Sequence, residues 1–148
     1  MPLLEQIDST CIKLPLLSTS KEDVLQELVS LVHEAGLIEE TGPVVQALEE
    51  REALCSTGLG GGIAIPHAKP MNLSDVIIAL GISPEGIDFE ALDGLPSTIF
   101  FLILAPPDQP GLHGQALAEI AGASQSPDFV ANLVAARSAE EVISLLRA

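Results

Sequence analysis

The sequence predicts an α/β fold in which a mixed parallel and antiparallel central sheet is flanked by helices. With 148 residues and 47% hydrophobic content, the chain can bury one substantial core, and residues 1–148 contain no linker-like stretch, so we expect a single domain. Amphipathic helical patterns alternate with strongly apolar strand patterns, which favours a layered α/β structure. Two apolar runs, Val76–Ile82 and Ser97–Ala105, are too close in sequence for a helical crossover, so they predict an antiparallel pair.

The first 36 residues predict an edge strand followed by a helix. The strand lies near Cys11–Leu17, where apolar residues mix with proline and serine. Ser20-Lys-Glu-Asp then has the Ser-x-x-acid form of a helix cap. An apolar stripe follows this cap, so we expect a helix that runs to about Ala35 and ends at Gly36. His33 is interpreted as a surface residue, because positive charge is favourable near a helix C-terminus.

A second helix is predicted over Val44–Leu54, where Pro43 can occupy the first turn. Its apolar residues would pack inward, while its three acidic residues are expected to face water: Glu49, Glu50 and Glu52. Arg51 lies among these acids, and this position alone indicates only a solvated ion pair.

The C-terminal half predicts strands followed by three helices. Val76–Ile82 has the continuous apolar character of a central strand, and Ser97–Ala105 has the strongest strand pattern in the chain. Between them, Gly86-Ile-Asp-Phe-Glu-Ala-Leu-Asp-Gly contains alternation and a closing Asp-Gly, which suggests a short strand or hairpin arm with turns. A proline-rich loop ends the last strand and leads to His113. The helices are expected over Leu112–Ala121, Pro127–Ala136 and Ala139–Leu146, the last with Ser138 as its cap.

The stretch Thr57–Pro70 differs in character from the rest of the chain. Four of the five residues at positions 58–62 are glycine, and glycine allows turns that other residues resist. The apolar triplet Ile63–Ile65 then predicts a short buried strand, which Pro66 stops just before His67. We therefore expect His67 to present its imidazole at the end of that strand.

The net charge narrows the range of partners. The chain has 21 acidic and 6 basic residues, and its net charge of −15 opposes binding to nucleic acid and to anionic membranes. The longest interval without Asp or Glu is Ala53–Ser74, which contains His67 and Lys69 and begins just after Arg51-Glu52. Such an interval would keep an anion from being repelled where it binds.

Targeting signals and redox chemistry give simpler expectations. No apolar run approaches the roughly 20 residues of a membrane span, since Ile99–Ala105 is the longest, so no direct membrane insertion is expected. The N-terminus lacks the basic region and long apolar segment of a secretory signal, which favours a cytoplasmic protein. Cys11 and Cys55 are too few for a disulfide framework and are expected to be reduced thiols.

Several catalytic motifs can be tested directly. The dinucleotide fingerprint fails because isoleucine occupies positions 63 and 65, and neither a P-loop nor a Gly-x-Ser-x-Gly elbow is present. Cys55 could act as a nucleophile with His67 or His113, although its place beside Leu54 favours a small buried hydrophobic residue. A metal site could combine both histidines with Cys55 or an aspartate, but the sequence contains no recognisable ligand spacing.

The remaining interpretation is that His67 is itself the nucleophile. A neutral imidazole is nucleophilic near pH 7 and forms a labile phosphoramidate, so it can accept a phosphoryl group and pass it on. Such transfer needs backbone N–H donors, one or two cations and a second polar residue. The stretch Gly58–Lys69 offers such groups, and His113 comes from a second loop.

A set of motifs resembles the mannitol/fructose/nitrogen (type 2) enzyme IIA domain of the bacterial sugar phosphotransferase system. The resemblance covers about Lys21 to the C-terminus. At Gly114 the chain departs from the leucine that commonly follows the second histidine of the family. The matching residues are Arg51-Glu52, Ser56-Thr-Gly-Leu-Gly, Ile63-Ala-Ile-Pro-His67, Gly86-Ile-Asp-Phe, Asp93-Gly, Phe101-Leu-Ile-Leu-Ala-Pro and His113.

This resemblance implies a mixed sheet flanked by helices and a phosphoryl relay without metal or other cofactor. His67 would accept a phosphoryl group from phosphorylated HPr, the histidine-containing phosphocarrier, or a close relative, and pass it to an enzyme IIB. Alternatively, the chain is a regulatory protein of the nitrogen type, in which phosphorylation of His67 switches protein interactions without sugar transport. His113 would support the site and Arg51 would hold the anion. Four residues are expected near the phosphate: Thr57, Gly58, Gly60 and Lys69.

Overall fold

The computed structural model describes residues 2–148, which form five α-helices and one six-stranded sheet. Two short 3-10 helices, Leu4–Gln6 and Ser9–Cys11, precede the first strand. The strands are β1 (Ile12–Lys13), β2 (Gly58–Gly60), β3 (Ile63–Ala64), β4 (His67–Ala68), β5 (Ile77–Ile87) and β6 (Ser97–Leu104). The helices are α1 (Lys21–Glu34), α2 (Gly42–Leu54), α3 (Pro110–Ala123), α4 (Asp128–Ala135) and α5 (Ala139–Arg147).

The sheet is mixed, as the sequence predicts. Its strand order is β1-β5-β6-β3-β2, and β4 also pairs with β6. The long strands β5 and β6 are antiparallel, which confirms the prediction made from their short separation. β3 and β4 both run parallel to β6, and β1 runs parallel to β5 at one edge. The central strand β6 therefore aligns the two short strands on either side of Pro66.

Helices cover both faces of the sheet. Phe100 and Phe101 are consecutive in β6, so they point to opposite faces, yet both are fully buried. Phe101 stacks on Phe129 of α4, with 6.4 Å between ring centroids. On the other face, Gly81 pairs with Phe100, and a Cβ at Gly81 would lie 2.9 Å from Leu28 of α1. This double coverage explains why residues 77–82 of β5 and 99–104 of β6 are continuously apolar.

Two predicted helix caps are present. The Ser20 hydroxyl accepts a hydrogen bond from Asp23 N–H at the start of α1, and the Ser138 hydroxyl accepts one from Glu141 N–H at the start of α5. In both helices the side-chain oxygen satisfies a backbone donor that the helix itself leaves free. Within residues 2–148, no helix is long and apolar enough to cross a bilayer.

The structure corrects two strand boundaries. β5 continues to Ile87, so Gly86-Ile87 ends that strand and does not form a separate hairpin arm. A register shift between Ile82 and Ile87, with φ of +84° at Gly86, lets the strand bend and continue. The edge strand predicted near Cys11–Leu17 is regular only over Ile12–Lys13, because 3-10 turns take up the residues before it.

Glu27 of α1 holds the connection between β1 and α1. Its carboxylate accepts hydrogen bonds from Leu17 N–H, Ser18 N–H and the Ser18 hydroxyl at 2.6 to 3.2 Å, and pairs with Lys13 at 2.9 Å. Burial alone would raise the pKa of this carboxyl, but the hydrogen bonds, led by the Ser18 hydroxyl, outweigh it and lower the pKa to about 2. The ionised form of Glu27 therefore stabilises the folded chain.

We predict that Glu27→Gln lowers the free energy of unfolding by about 2 kcal/mol near pH 7, because an amide replaces a carboxylate that accepts several charge-assisted bonds. The folded pKa lies below the unfolded value, so this stabilisation is complete above about pH 4.5 and is lost as the pH falls toward 2. Urea unfolding at several pH values measures both effects. Glu34→Gln, at an exposed position of the same helix, should change stability by less than about 0.5 kcal/mol. An equal loss in both variants would contradict the assignment.

Candidate functional site

His67 lies where the sheet pairing resumes after Pro66. It is the first residue of β4 and pairs with Ile103 of β6, whose N–H donates to the Pro66 carbonyl at 3.0 Å. Only Ile63–Ala64 of the predicted strand is regular, as β3, and a second parallel segment then begins at His67 itself. The imidazole is therefore attached to backbone that the central strand fixes, and its ring is partly buried.

The hydrogen bonding of His67 defines which ring nitrogen carries the proton. Its Nδ1 lies 2.7 Å from the carbonyl oxygen of Ile65. A carbonyl oxygen can only accept, so Nδ1 must donate and carry the hydrogen. In the neutral ring Nε2 then keeps its lone pair. The site thus presents one nucleophilic nitrogen, Nε2, in a defined direction.

His113 lies beside His67, as the sequence predicts. The two ring centroids are 4.6 Å apart and the rings are tilted by 45°. His113 comes from the first turns of α3, which Glu119 ties to the N-terminal segment by accepting hydrogen bonds from Leu3 N–H and Leu4 N–H. Its Nε2 is buried and has no hydrogen-bond partner among the described residues, so it can bind a further polar group.

Both site histidines have lowered pKa values. For His67, burial lowers the pKa most; the bond to Ile65 opposes this, Arg51 and Lys69 lower the pKa further, and Glu52 raises it. For His113, burial again comes first, followed by His67, Lys69 and Arg51, all of which lower the pKa. Both rings are therefore neutral near pH 7, which is the form in which Nε2 of His67 is nucleophilic.

Two cations lie near this histidine pair. Arg51, in the last turn of α2, donates from Nη1 to the Cys55 carbonyl at 2.9 Å and is partly exposed. Lys69 is exposed and follows His67 by two residues. Both side chains lower the pKa of each histidine, so their charges reach the histidine pair. The same charges can attract an anion bound there. The structure thus brings together four of the predicted residues: His67, His113, Arg51 and Lys69.

Two predicted phosphate donors already have partners in the chain. The Thr57 N–H and hydroxyl both donate to the Glu52 carboxylate, and Gly58 N–H donates to the Ser56 hydroxyl. Neither residue therefore offers a free donor in the unmodified protein, and the expectation that both lie near the phosphate stays a prediction. Thr57 connects to the site differently, because its carbonyl accepts from Ile65 N–H at 3.0 Å.

The glycine-rich stretch forms a hairpin, not a flexible loop. Gly60, Gly61 and Gly62 have φ of +97°, +65° and +88°, values that other residues rarely adopt, and they make the turn between β2 and β3. Asp93 holds this turn by accepting from Gly61 N–H at 3.0 Å. A Cβ at Gly60 would lie 3.1 Å from the Asp93 carboxylate. The glycines are therefore explained by the backbone of the hairpin, and the predicted role of Gly60 near a phosphate stays a prediction.

Two other expectations were wrong. Glu52 does not face water: its side chain is only 6% exposed and pairs with Lys21. It lies four residues after buried Leu48, on the same face of α2, and this spacing could have predicted its burial. Cys55 is exposed, because it follows the last buried turn of α2 and its neighbour Leu54 is itself 83% exposed. Within residues 2–148, no group of three or more His, Cys, Asp or Glu side chains is arranged to hold a metal ion.

Comparisons with known proteins bear on the fold and the family. The family model of the phosphoenolpyruvate-dependent sugar phosphotransferase system, EIIA 2, matches residues 5–148, so the match begins before Lys21. The chain is 34% identical to the fructose-specific EIIABC component of Bacillus subtilis, over 99% of this chain but only 23% of that protein. It is 35% identical to a nitrogen regulatory protein of Bradyrhizobium diazoefficiens, over 99% of this chain and 95% of that protein. The crystal structure of nitrogen regulatory protein IIA-Ntr from Neisseria meningitidis superposes with a TM-score of 0.90 and 31% identity, covering 99% of each chain.

We predict that Arg51→Gln raises the pKa of both His67 and His113, since removal of a nearby cation favours the imidazolium forms. Long-range proton–nitrogen NMR spectra recorded across the titration measure both values and also report whether Nδ1 of His67 carries the proton. In the parent protein both midpoints should lie below the usual value of about 6.5. Arg137→Gln, an exposed position between α4 and α5, is the matched control and should move neither midpoint. Equal shifts in the two variants would show that only the total charge matters.

Proposed function

We propose that this chain, which belongs to the EIIA 2 family of the phosphoenolpyruvate-dependent sugar phosphotransferase system, carries a phosphoryl group on Nε2 of His67. The observation that carries the proposal is the bond from Nδ1 to the Ile65 carbonyl at 2.7 Å, which leaves Nε2 as the nucleophile. The lowered pKa of His67 keeps this nitrogen unprotonated near pH 7. The proposed ligands of the phosphoryl oxygens are His113, whose ring centroid lies 4.6 Å from that of His67, and the two cations whose charges act on His67, Arg51 and Lys69.

The transfer step follows from this arrangement. The Nε2 lone pair attacks the phosphorus of a phosphohistidine on HPr, a new N–P bond forms, and the donor nitrogen leaves with the electron pair of the old N–P bond. Charge spreads over the phosphoryl oxygens in the transition state, where Arg51 and Lys69 stabilise it. The buried Nε2 of His113 can serve as a hydrogen-bonding group to one of these oxygens, in its N–H tautomer.

The Ile65 carbonyl also assists the onward transfer. Once Nε2 bears phosphorus and Nδ1 still bears its proton, the ring is an imidazolium that donates to this carbonyl. When an acceptor attacks the phosphorus, the ring leaves as neutral imidazole, which is a better leaving group than an imidazolate. The acceptor proposed here is an enzyme IIB, and the name of the Bacillus subtilis relative, EIIABC, supports this choice. No metal is required at any step.

A second function has a specific observation in its favour. The chain is 35% identical to the nitrogen regulatory protein of Bradyrhizobium diazoefficiens, and the IIA-Ntr structure from Neisseria meningitidis superposes with a TM-score of 0.90. In a regulatory role the same phosphorylation of His67 would change the affinity for a target protein, and no sugar would be moved. Both functions use the same site, so they differ in what binds the phosphorylated and unmodified forms.

We predict that phosphoenolpyruvate, enzyme I and HPr together add one acid-labile, base-stable phosphoryl group, and that His67→Ala abolishes this addition. His113→Ala should slow it on the order of 10²-fold, the usual cost of losing one group that stabilises transition-state charge. Intact-protein mass spectrometry over time measures both. His33→Ala, at an exposed position on α1, is the control and should react at the parent rate. Persistent phosphorylation of His67→Ala would assign the acceptor to another residue.

The two functions make different predictions in a binding experiment. Immobilised protein in its phosphorylated and unmodified forms is offered a purified EIIB domain, and transfer of label to that domain is followed. A carrier should lose its phosphoryl group to EIIB within the assay. A purely regulatory protein should keep its label. It should instead bind a target protein in only one of its forms, phosphorylated or unmodified. Transfer of the label from His67 to the EIIB domain within the assay would exclude the purely regulatory role.

A further inference from the structure

We propose that Lys21, Glu52 and Thr57 are positioning residues for phosphoryl transfer, which act through a continuous set of hydrogen bonds ending at Nδ1 of His67. The proposal rests on the proposed function of His67. It adds three residues that touch neither the phosphoryl group nor its donor but define the geometry of the acceptor. The contacts that carry it run from the first turn of α1 to β4.

The network begins with a buried ion pair. Lys21 Nζ lies 2.9 Å from Glu52 Oε1, and their side chains are only 12% and 6% exposed. The same ammonium lies 4.7 Å from the ring centroid of Phe89 and 3.7 Å from the exposed Glu90 carboxylate. A buried carboxylate without a partner is strongly destabilising, so the ion pair with Lys21 holds Glu52 in one position.

Glu52 joins the end of α2 to the start of β2. Its Oε1 accepts from Thr57 N–H at 3.1 Å, and its Oε2 accepts from the Thr57 hydroxyl. Both carboxylate oxygens are therefore used, and the peptide and side chain of Thr57 are fixed together. The helix ends in the extended residue Cys55 without a glycine cap, so these bonds replace the usual helix-ending device.

Two backbone bonds continue the network to the acceptor. The Thr57 carbonyl accepts from Ile65 N–H at 3.0 Å, and the Ile65 carbonyl accepts from His67 Nδ1 at 2.7 Å. Thr57 and Ile65 are only 4% and 2% exposed, so water competes little for these groups. A displacement of Thr57 would move Ile65 and weaken the bond that keeps the proton on Nδ1.

The same network fixes the nearest cation. Arg51 precedes Glu52 in α2, and its guanidinium donates to the Cys55 carbonyl, two residues before Thr57. Arg51 and Glu52 therefore clamp the short connection 55–57 by its two ends. The negative charge of Glu52 also acts on the acceptor ring, because it raises the pKa of His67 against the effect of Arg51 and Lys69. Loss of Glu52 would thus change both the direction and the basicity of the acceptor nitrogen.

The test compares Glu52→Gln and Thr57→Val with Thr57→Ser, which keeps the hydroxyl. NMR of the imidazole nitrogens reports the tautomer and titration midpoint of His67 without any phosphorylation, and the assay with HPr reports the transfer rate. We expect the first two variants to show a mixture of Nδ1–H and Nε2–H tautomers and transfer slowed by about 10²-fold, as is typical of a misplaced reacting group. Glu52→Gln should also lower the titration midpoint of His67. Thr57→Ser should retain the tautomer and the transfer rate of the parent protein.

The matched control is Glu27→Gln. It also removes a carboxylate that pairs with a lysine at 2.9 Å and accepts from backbone N–H groups, but its partners lie in β1 and in the connection to α1. It should destabilise the fold while leaving the tautomer and the transfer rate unchanged. Parent values in Glu52→Gln and Thr57→Val, or equal changes in Glu27→Gln, would overturn the proposal. If the parent protein accepts no phosphoryl group, the proposed function fails, while the tautomer measurement still decides whether the network orients His67.

Discussion

The hydrogen bond from Nδ1 of His67 to the Ile65 carbonyl is the interaction on which the chemistry of this site depends. It leaves only Nε2 with a lone pair in the neutral ring, so the residue has one reactive direction. The bond forms because β3 and β4 both pair with β6, and this pairing places the Ile65 carbonyl oxygen 2.7 Å from Nδ1 of the residue two positions later. The acceptor geometry is thus a consequence of how two short strands share one long central strand.

That strand arrangement needs support at its outer side, where β2 ends the sheet and the helix α2 leads into it. The buried pair of Lys21 and Glu52 provides this support at an energetic cost, since burial of two charges is repaid only when their remaining hydrogen-bonding groups are satisfied. Here Thr57 satisfies both carboxylate oxygens. The pair therefore contributes more to a defined position of the connection into β2 than to the total stability of the fold.

The sequence predicted the mixed sheet, its antiparallel centre and the pairing of His67 with His113, because apolar runs, caps and a recognisable set of motifs are local signals. It did not predict the burial of Glu52. This residue lies in an acidic stretch of α2 and was expected to face water, although its spacing of four residues from buried Leu48 places it on the inner face of the helix. It also treated the glycines as donors to an anion, whereas their positive φ angles serve a hairpin that Asp93 holds. Partners separated by many residues in sequence, such as Lys21 and Glu52, leave no local pattern to read.

The unmodified site contains features that are unfavourable without a further group. Nε2 of His113 is buried without a hydrogen-bond partner, and both rings have pKa values lowered by burial and by nearby cations. In a chain of net charge −15, Arg51 and Lys69 lie beside these neutral rings with no acidic residue between positions 53 and 74. A phosphoryl group on Nε2 of His67 would give the buried nitrogen a partner and the two cations a counter-charge at once. Under the proposed function these features therefore favour the phosphorylated state, while the buried core of β5 and β6 supplies the stability that tolerates them.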